Sequence, residues 1–296
     1  MGKSEVALLL AQRLNGEIIS VDSMQVYRGM DIGTAKSSAA DRALIPHHLI
    51  DVVVVTEPFD AARFVQLARG AVAQIQSRGK VPIFCGGTGL YFKAYLDGLG
   101  ETPSGDPALR AELEATPLSQ LLEELKQADS LTYESIDRRN PRRVIRAIEV
   151  IRLTGKPFSS QRASWTHATP DLPPAPNIIA FSRSLPDLQT RISARVEEMF
   201  RRGLVEETRR LLDAGLARNP TAMQALGYRQ VVEHLQGERP LSETIELVKL
   251  RTRQFAKRQM TWFRGQLRPT WMALGPTQDP ESVADSILAS FAPLGH

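Results

Sequence analysis

Apolar residues fall at helical spacing near the start of the chain, where Val6, Leu9, Leu10 and Leu14 predict a helix over residues 4–14. "GEIISVD" then reads as a short buried strand ending at Asp22, and "HHLIDVVVV" carries a second β-rich run. Residues 60–78 return to helical spacing through Phe64, Leu67, Ala71 and Ile75, and Gly79 closes them as a helix-terminating glycine. "KVPIFCGG" is a further buried strand, and "TGLYFKAYLDGL" returns as a helix. Strands alternating with helices over short links predict a mostly parallel sheet covered on both faces.

The pattern changes after "GETPSGDP". Residues 106 to about 175 show helical segments and no strand. Within them "NPRRVIRAIEVIRLTG" has a helix's full punctuation, with Asn140 as N-cap, Pro141 in the first turn and Gly155 just past the end. "TPDLPPAPN" works as a linker, "IIAFS" as one more strand of the first sheet, and long helices follow to about residue 268. The expected fold class is therefore α/β. A parallel-sheet core of residues 1–105 and 176–296 is interrupted by a helical insertion over 106–175, with no internal repeats.

Composition narrows the class. The 296 residues are 42% hydrophobic and 24% charged, which suits one large domain or a domain with an insertion. A net charge of +4 mildly favours an acidic partner, so the placement of the basic residues matters more than their total. Cys85 is the only cysteine, which excludes an internal disulfide and a cysteine zinc cluster and suits a reducing compartment. No segment approaches the roughly 20 apolar residues needed to span a bilayer. "VALLLA" lacks the flanks of a signal peptide. The expectation is a cytoplasmic protein without a membrane partner.

Three stretches carry candidate chemistry. Gly2, Lys3 and Ser4 stand before an amphipathic helix, as the end of a G-x-x-x-x-G-K-[ST] phosphate loop does; backbone N–H groups at a helix start, with a lysine beside them, attract anions. "ISVDSMQVYRGMDIGTAK" places Asp22 at the carboxyl end of a strand, where open α/β sheets hold their sites. Asp22 and Ser23 could merely cap a turn, but the polar density after them suits a loop facing a ligand. "CGGTGLY" repeats the arrangement, with Gly86 and Gly87 permitting close approach and Thr88 offering a hydroxyl at a helix start. His47 and His48 have no spaced carboxylate or third histidine and read as structural turn residues.

The basic residues cluster twice. "RTRQFAKRQMTWFRGQLR" contains no acid; wound as a helix it gathers Phe255, Trp262 and Phe263 on a core-packed face, with Arg253, Lys257 and Arg264 opposite. "RRNPRRVIR" groups five arginines at a helix N-terminus. Runs of charge are commonly solvated surface, but two acid-poor runs beside a phosphate loop point toward RNA.

Taken together, "GKS", "ISVDSMQVYRGMDIGTAK", "HHLIDV", "GGTGLYFKAYLDGL", "NPRRVIRAIEV", "QALGYRQ" and "TRQFAKRQMTWFR" resemble the tRNA dimethylallyltransferases, in that family's order and over nearly the whole chain. The resemblance implies a P-loop-type core with a helical insertion. It implies transfer of a dimethylallyl group from dimethylallyl diphosphate to N6 of adenosine 37, just 3′ of the anticodon, in tRNAs reading codons that start with U. By family position Asp22 is the general base, and aspartates are ordinarily ionised at neutral pH. Thr88 and Arg195 join it as catalytic residues; Gly2, Lys3 and Ser4 bind the diphosphate, with Ser4 helping to hold Mg²⁺. The anticodon stem-loop would be met by Asp22, Ser23, Met24, Gln25, Thr88, Arg110, Arg142, Arg143, Val144, Ile145, Arg146, Gln224, Gly227, Tyr228, Arg229, Lys257, Arg258 and Arg264. The adenine must leave its stack to react. The enzyme is expected to act as a monomer.

The departure lies at the start, where Met1 precedes Gly2 and the family's first strand and loop residues are not in this sequence. The preferred expectation is that the native protein is longer, and the alternative is that the short form is real and poorly active; the short chain is expected to be unstable and weak in diphosphate binding. Three other readings compete: a small-molecule P-loop kinase, a prenyltransferase for free AMP, and a non-catalytic RNA-binding module.

Overall fold

A computed structural model describes residues 2–100, 102–161 and 178–291. The chain forms two compact units, Met1–Tyr95 with His167–His296, and Leu96–Thr166.

The first unit opens with α1 (Lys3–Arg13), β1 (Gly16–Val21), α2 (Ala39–Leu44), β2 (His47–His48), α3 (Ala61–Ser77), β3 (Val81–Gly86) and α4 (Gly89–Asp97). The three strands are parallel in the order β2-β1-β3, with Ile18 opposite both His47 and Ile83, and Val21 opposite Gly86. Every residue of β1 is buried, as expected of a central parallel strand covered on both faces. Its one charged residue, Glu17, is satisfied there by His48, Arg78 and Lys80 at 2.7, 2.6 and 3.1 Å.

"HHLIDVVVV" forms far less strand than its composition predicts. Only His47 and His48 pair with β1, and Val53 makes one isolated bridge to Tyr27. Between them Leu49 and Asp51 adopt φ of 63° and 57°, which no strand tolerates, and Asp51 is pinned by Lys36 and Arg42. The valines are apolar because Val53 and Val55 enter the core, not because they extend a ladder.

The second unit holds α5 (Pro107–Ala115), α6 (Leu118–Ala128), α7 (Ser130–Ser135), α8 (Pro141–Thr154) and α9 (Phe158–Gln161), with no strand among its described residues. Leu113, Leu121, Leu125, Val144 and Ile148 form its core. Helix α8 has the punctuation read from the sequence: Asn140 precedes it, and Gly155 ends it at φ 69°. Buried Asp129 staples this unit, accepting from the backbone and hydroxyl of both Thr132 and Ser159.

The expected linker over 169–177 lies outside the described residues. The first unit resumes with β4 (Ile179–Ser182), α10 (Leu185–Arg201), α11 (Leu204–Asp213), α12 (Tyr228–Leu235), α13 (Leu241–Gln266), β5 (Thr270–Ala273) and α14 (Pro280–Phe291). "IIAFS" does not extend the first sheet: β4 pairs in parallel with β5, a strand beyond the last element read from the sequence. Among the described residues no ladder joins β3 to β4. Helix α1 packs on both half-sheets instead, through Ala7 and Ala11 toward Ile18 and Ile83, and through Val6 toward Ile179, Phe181 and Leu274.

Helix α13 also differs from the expected amphipathic arrangement. Trp262 and Phe263 are half-buried, but Phe255 is exposed, with the Arg258 guanidinium 5.9 Å from its ring. No described helix is long and apolar enough to cross a membrane.

Candidate active site

The site is built on the ends of β1 and β3. The carbonyl of Val21 accepts from the amides of both Gly87 and Thr88 at 3.1 Å, which holds the two strand tips side by side. Asp22 stands next along the chain. One of its carboxylate oxygens, Oδ1, accepts from the amides of Met24 and Gln25 at 2.9 and 3.3 Å, an Asx turn that fixes the side chain. Its other oxygen has no hydrogen-bond partner among the described residues. Thr88 locks the turn from the neighbouring strand, its hydroxyl accepting from the Ser23 amide at 3.0 Å. The capping role weighed for Asp22 thus occupies one oxygen of the carboxylate and leaves the other without a hydrogen-bond partner among the described residues.

Cations gather around it. Lys3, Ser4, Asp22, Gln25 and Cys85 line a pocket at the N-terminus of α1, where the helix's first N–H groups lack intrahelical partners. The Lys3 ammonium makes no hydrogen bond or ion pair among the described residues. Arg195 on α10 reaches solvent, but protein packed around its guanidinium lowers its pKa, while the Asp22 carboxylate opposes that shift. Arg183, not foreseen from the sequence, comes so close to Gly2 that a Cβ there would lie 3.3 Å from its guanidinium. Burial pushes the Cys85 thiol up in pKa, so it stays protonated beside the pocket.

The donors here suit a hard divalent ion that keeps waters and phosphate oxygens, since the pocket offers the Ser4 hydroxyl and the Asp22 carboxylate. Among the described residues there is no cluster of three or more histidine, cysteine or carboxylate side chains that could hold a metal on its own.

A second layer steadies the loop after Asp22. Gln25 donates through Nε2 to the carbonyls of Thr34 and Ala35 at 3.2 and 3.4 Å, and its Oε1 accepts from the Ser20 hydroxyl at 2.9 Å. Residues 32–33 are held in turn by Glu207 and Tyr228. From α13, Gln259 donates to the Gly87 carbonyl at 2.8 Å, and Trp262 lies against Gly89 so closely that a Cβ there would meet its ring at 2.2 Å.

The model of the IPP transferase family matches residues 25–266. The chain belongs to the IPP transferase family. Among its relatives, tRNA dimethylallyltransferase 1 of Trichlorobacter lovleyi is 45% identical over 276 residues, covering 92% of this chain and 90% of that protein. The tRNA dimethylallyltransferase of Nocardioides sp. is 44% identical over 92% of this chain and 87% of its own length. The crystal structure of a full-length tRNA isopentenylpyrophosphate transferase from Bacillus halodurans matches with a TM-score of 0.67 at 37% identity, covering 97% of this chain and 92% of that one. A eukaryotic dimethylallyltransferase, crystallised in snapshots of its action on tRNA, matches with a TM-score of 0.76 at 25% identity over 100% of this chain and 78% of that chain.

In this IPP transferase-family chain the residues expected against RNA, apart from the half-buried Asp22, Ser23, Met24, Gln25 and Thr88 at the strand tips, fall into three groups. Lys257, Arg258 and Arg264 on α13 are exposed, as are Arg142 and Arg143 at the start of α8 and Gln224 and Arg229 near α12, where Arg229 pairs with Glu233. Arg110 and Arg146 are half-committed, each donating at 2.6 Å to Glu149, a carboxylate with no exposed surface. Val144, Ile145, Gly227 and Tyr228 are buried, so the Val144, Ile145 and Tyr228 side chains face the protein interior rather than a ligand. Sequence spacing assigns a helix to these residues but does not say which of its faces is wet.

Proposed function

We propose that the chain transfers a dimethylallyl group from dimethylallyl diphosphate to N6 of adenosine 37 in tRNAs reading codons that begin with U. The observation that carries this reading is that one pocket is lined both by Asp22, with a carboxylate oxygen that has no hydrogen-bond partner among the described residues, and by Lys3, whose ammonium has none among them either. The exocyclic amine of adenine is a poor nucleophile because its lone pair is delocalised into the ring. As N6 forms its bond to the allylic carbon, the carbon–oxygen bond to diphosphate breaks, and Asp22 takes the proton that N6 sheds. Lys3, Arg195 and the N–H groups of α1 meet the charge growing on the leaving diphosphate. Mg²⁺ held with help from Ser4 would neutralise part of that charge when bound.

Thr88 and the Asx turn keep the Asp22 carboxylate at the strand tip. Exposed Arg142 and Arg143 of the second unit, and Lys257, Arg258 and Arg264 of α13, hold the anticodon arm by its phosphates. The enzyme acts as a monomer in the cytoplasm.

The test is an acceptor comparison. Purified protein is incubated with labelled dimethylallyl diphosphate and tRNA, the isolated anticodon stem-loop, or AMP. Label should enter tRNA and its stem-loop, and nuclease digestion should place it on a single adenosine beside the anticodon. Label in AMP alone would overturn the reading.

A further inference from the structure

Glu207 sits on α11, 4% exposed, far along the chain from Asp22. Its two carboxylate oxygens both accept from the amide of Ile32 at 3.0 Å, and Oε1 also accepts from the Gly33 amide at 3.4 Å and the Tyr228 hydroxyl at 2.6 Å. The Tyr228 oxygen accepts from the Gly33 amide at 3.1 Å. Gly33 leaves no space for more, since a Cβ there would stand 2.4 Å from the Tyr228 ring. Burial, reinforced by the Glu207 carboxylate, drives the Tyr228 phenol far up in pKa, so it remains a neutral donor.

The loop gripped in this way passes the constraint on. Its next two carbonyls, Thr34 and Ala35, both receive the Gln25 amide nitrogen. Turning that amide over would set its oxygen against two carbonyls, so the loop decides which way Gln25 points. The Gln25 backbone amide donates to Asp22 Oδ1. An unbroken series of bonds thus runs from Glu207 through residues 32–35 and Gln25 to the carboxylate.

We infer that Glu207, with Tyr228 as its partner, is a positioning residue for the transfer: it shapes residues 32–35 so that Gln25 is aimed and Asp22 is held. The inference rests on the function proposed above. It also gives Tyr228 a task other than touching RNA. Lys36 anchors the far end of the same loop, to the Tyr27 carbonyl and to Asp31 and Asp51, so the loop remains attached when Glu207 is changed.

The test uses the full chain with Glu207→Gln and the milder Tyr228→Phe, which keeps the ring against Gly33. Glu207→Gln should lower kcat by roughly tenfold or more, with KM for dimethylallyl diphosphate within about twofold of wild type. On a Gln25→Ala background the same substitution should cost less than about twofold, because the two act in series. Tyr228→Phe should move the same parameters less. Amide hydrogen exchange adds a readout independent of turnover: Glu207→Gln should speed exchange at Met24 and Gln25 as well as at Ile32 and Gly33. Faster exchange confined to Ile32 and Gly33, or kcat losses that simply multiply in the double variant, would overturn the inference. A wild-type protein that labels no tRNA would instead sink the proposed function, and the exchange pattern would still decide this one.

Discussion

The backbone amide of Ser23 donates to the Thr88 hydroxyl at 3.0 Å, joining the loop after β1 to the turn after β3. Thr88→Val keeps the shape of the side chain and deletes the acceptor, leaving the Ser23 amide without its partner. Stability should fall by about 1 kcal/mol in a denaturant titration. Activity should fall further than that loss explains, by roughly tenfold in kcat, because the carboxylate next to Ser23 loses its brace. Thr88→Ser should restore most of both.

Asp22→Asn separates the turn from the chemistry. An asparagine oxygen can still accept from Met24 and Gln25, so the unfolding midpoint should stay close to wild type. The amide cannot take a proton from N6, and kcat for tRNA prenylation should drop about 10²–10⁴-fold. Single-turnover measurements at saturating diphosphate would read the chemical step directly.

Glu17 sets part of the acid stability. Burial alone would raise its pKa, but bonds from His48, Arg78 and Lys80 outweigh burial and hold it down to about 2, against an ordinary 4.5. A folded-state pKa below the unfolded one stabilises the protein above about pH 4.5, and the contribution drains away as the pH falls from there toward 2. Glu17→Gln should therefore cost on the order of 1–3 kcal/mol at neutral pH, less than the full shift implies because Arg78 and Lys80 are partly in water. It should also flatten the loss of stability between those two pH values in acid-unfolding curves followed by circular dichroism.

Lys257 and Arg258 are exposed on α13, with no acid paired to either among the described residues. Replacing each with alanine should weaken tRNA binding and lower the slope of log affinity against log salt by about one unit per residue. Binding isotherms at several salt concentrations would measure it. Arg146→Ala should change the slope less, because its charge is already shared with Glu149.

The parts legible in the sequence were those governed by local rules. Strand tips carrying Asp22 and Thr88, the helix closed by Gly79, and the helix that starts after Asn140 and ends at Gly155 follow from periodicity and punctuation over a few residues. What escaped depended on distant partners. "IIAFS" has the composition of a strand, but its pairing with residues 270–273 is chosen by packing around α1 and α14. The run after His48 is apolar for burial, and two residues at positive φ turn it away from the ladder.

The site divides in the same way. Lys3, Asp22 and Thr88 belong to motifs and could be named from them. Glu207 and Arg183 come from a helix and a strand end far along the chain, with no spacing signal to announce them, and Gln259 lies within "TRQFAKRQMTWFR", which does not say that its side chain donates to the Gly87 carbonyl. Tyr228 sits in the motif-like "QALGYRQ", but only the glutamate 21 residues before it explains why its hydroxyl is turned inward.

Helix α1 has one more consequence. Its flank is wedged against both half-sheets, and its tip presents Lys3 and Ser4 to the pocket. Under the proposed function, cohesion and substrate capture would therefore share a single rod. An anion seated at that tip would brace the joint, and whatever loosens the joint would blunt the grip on an anion before either half-sheet melts.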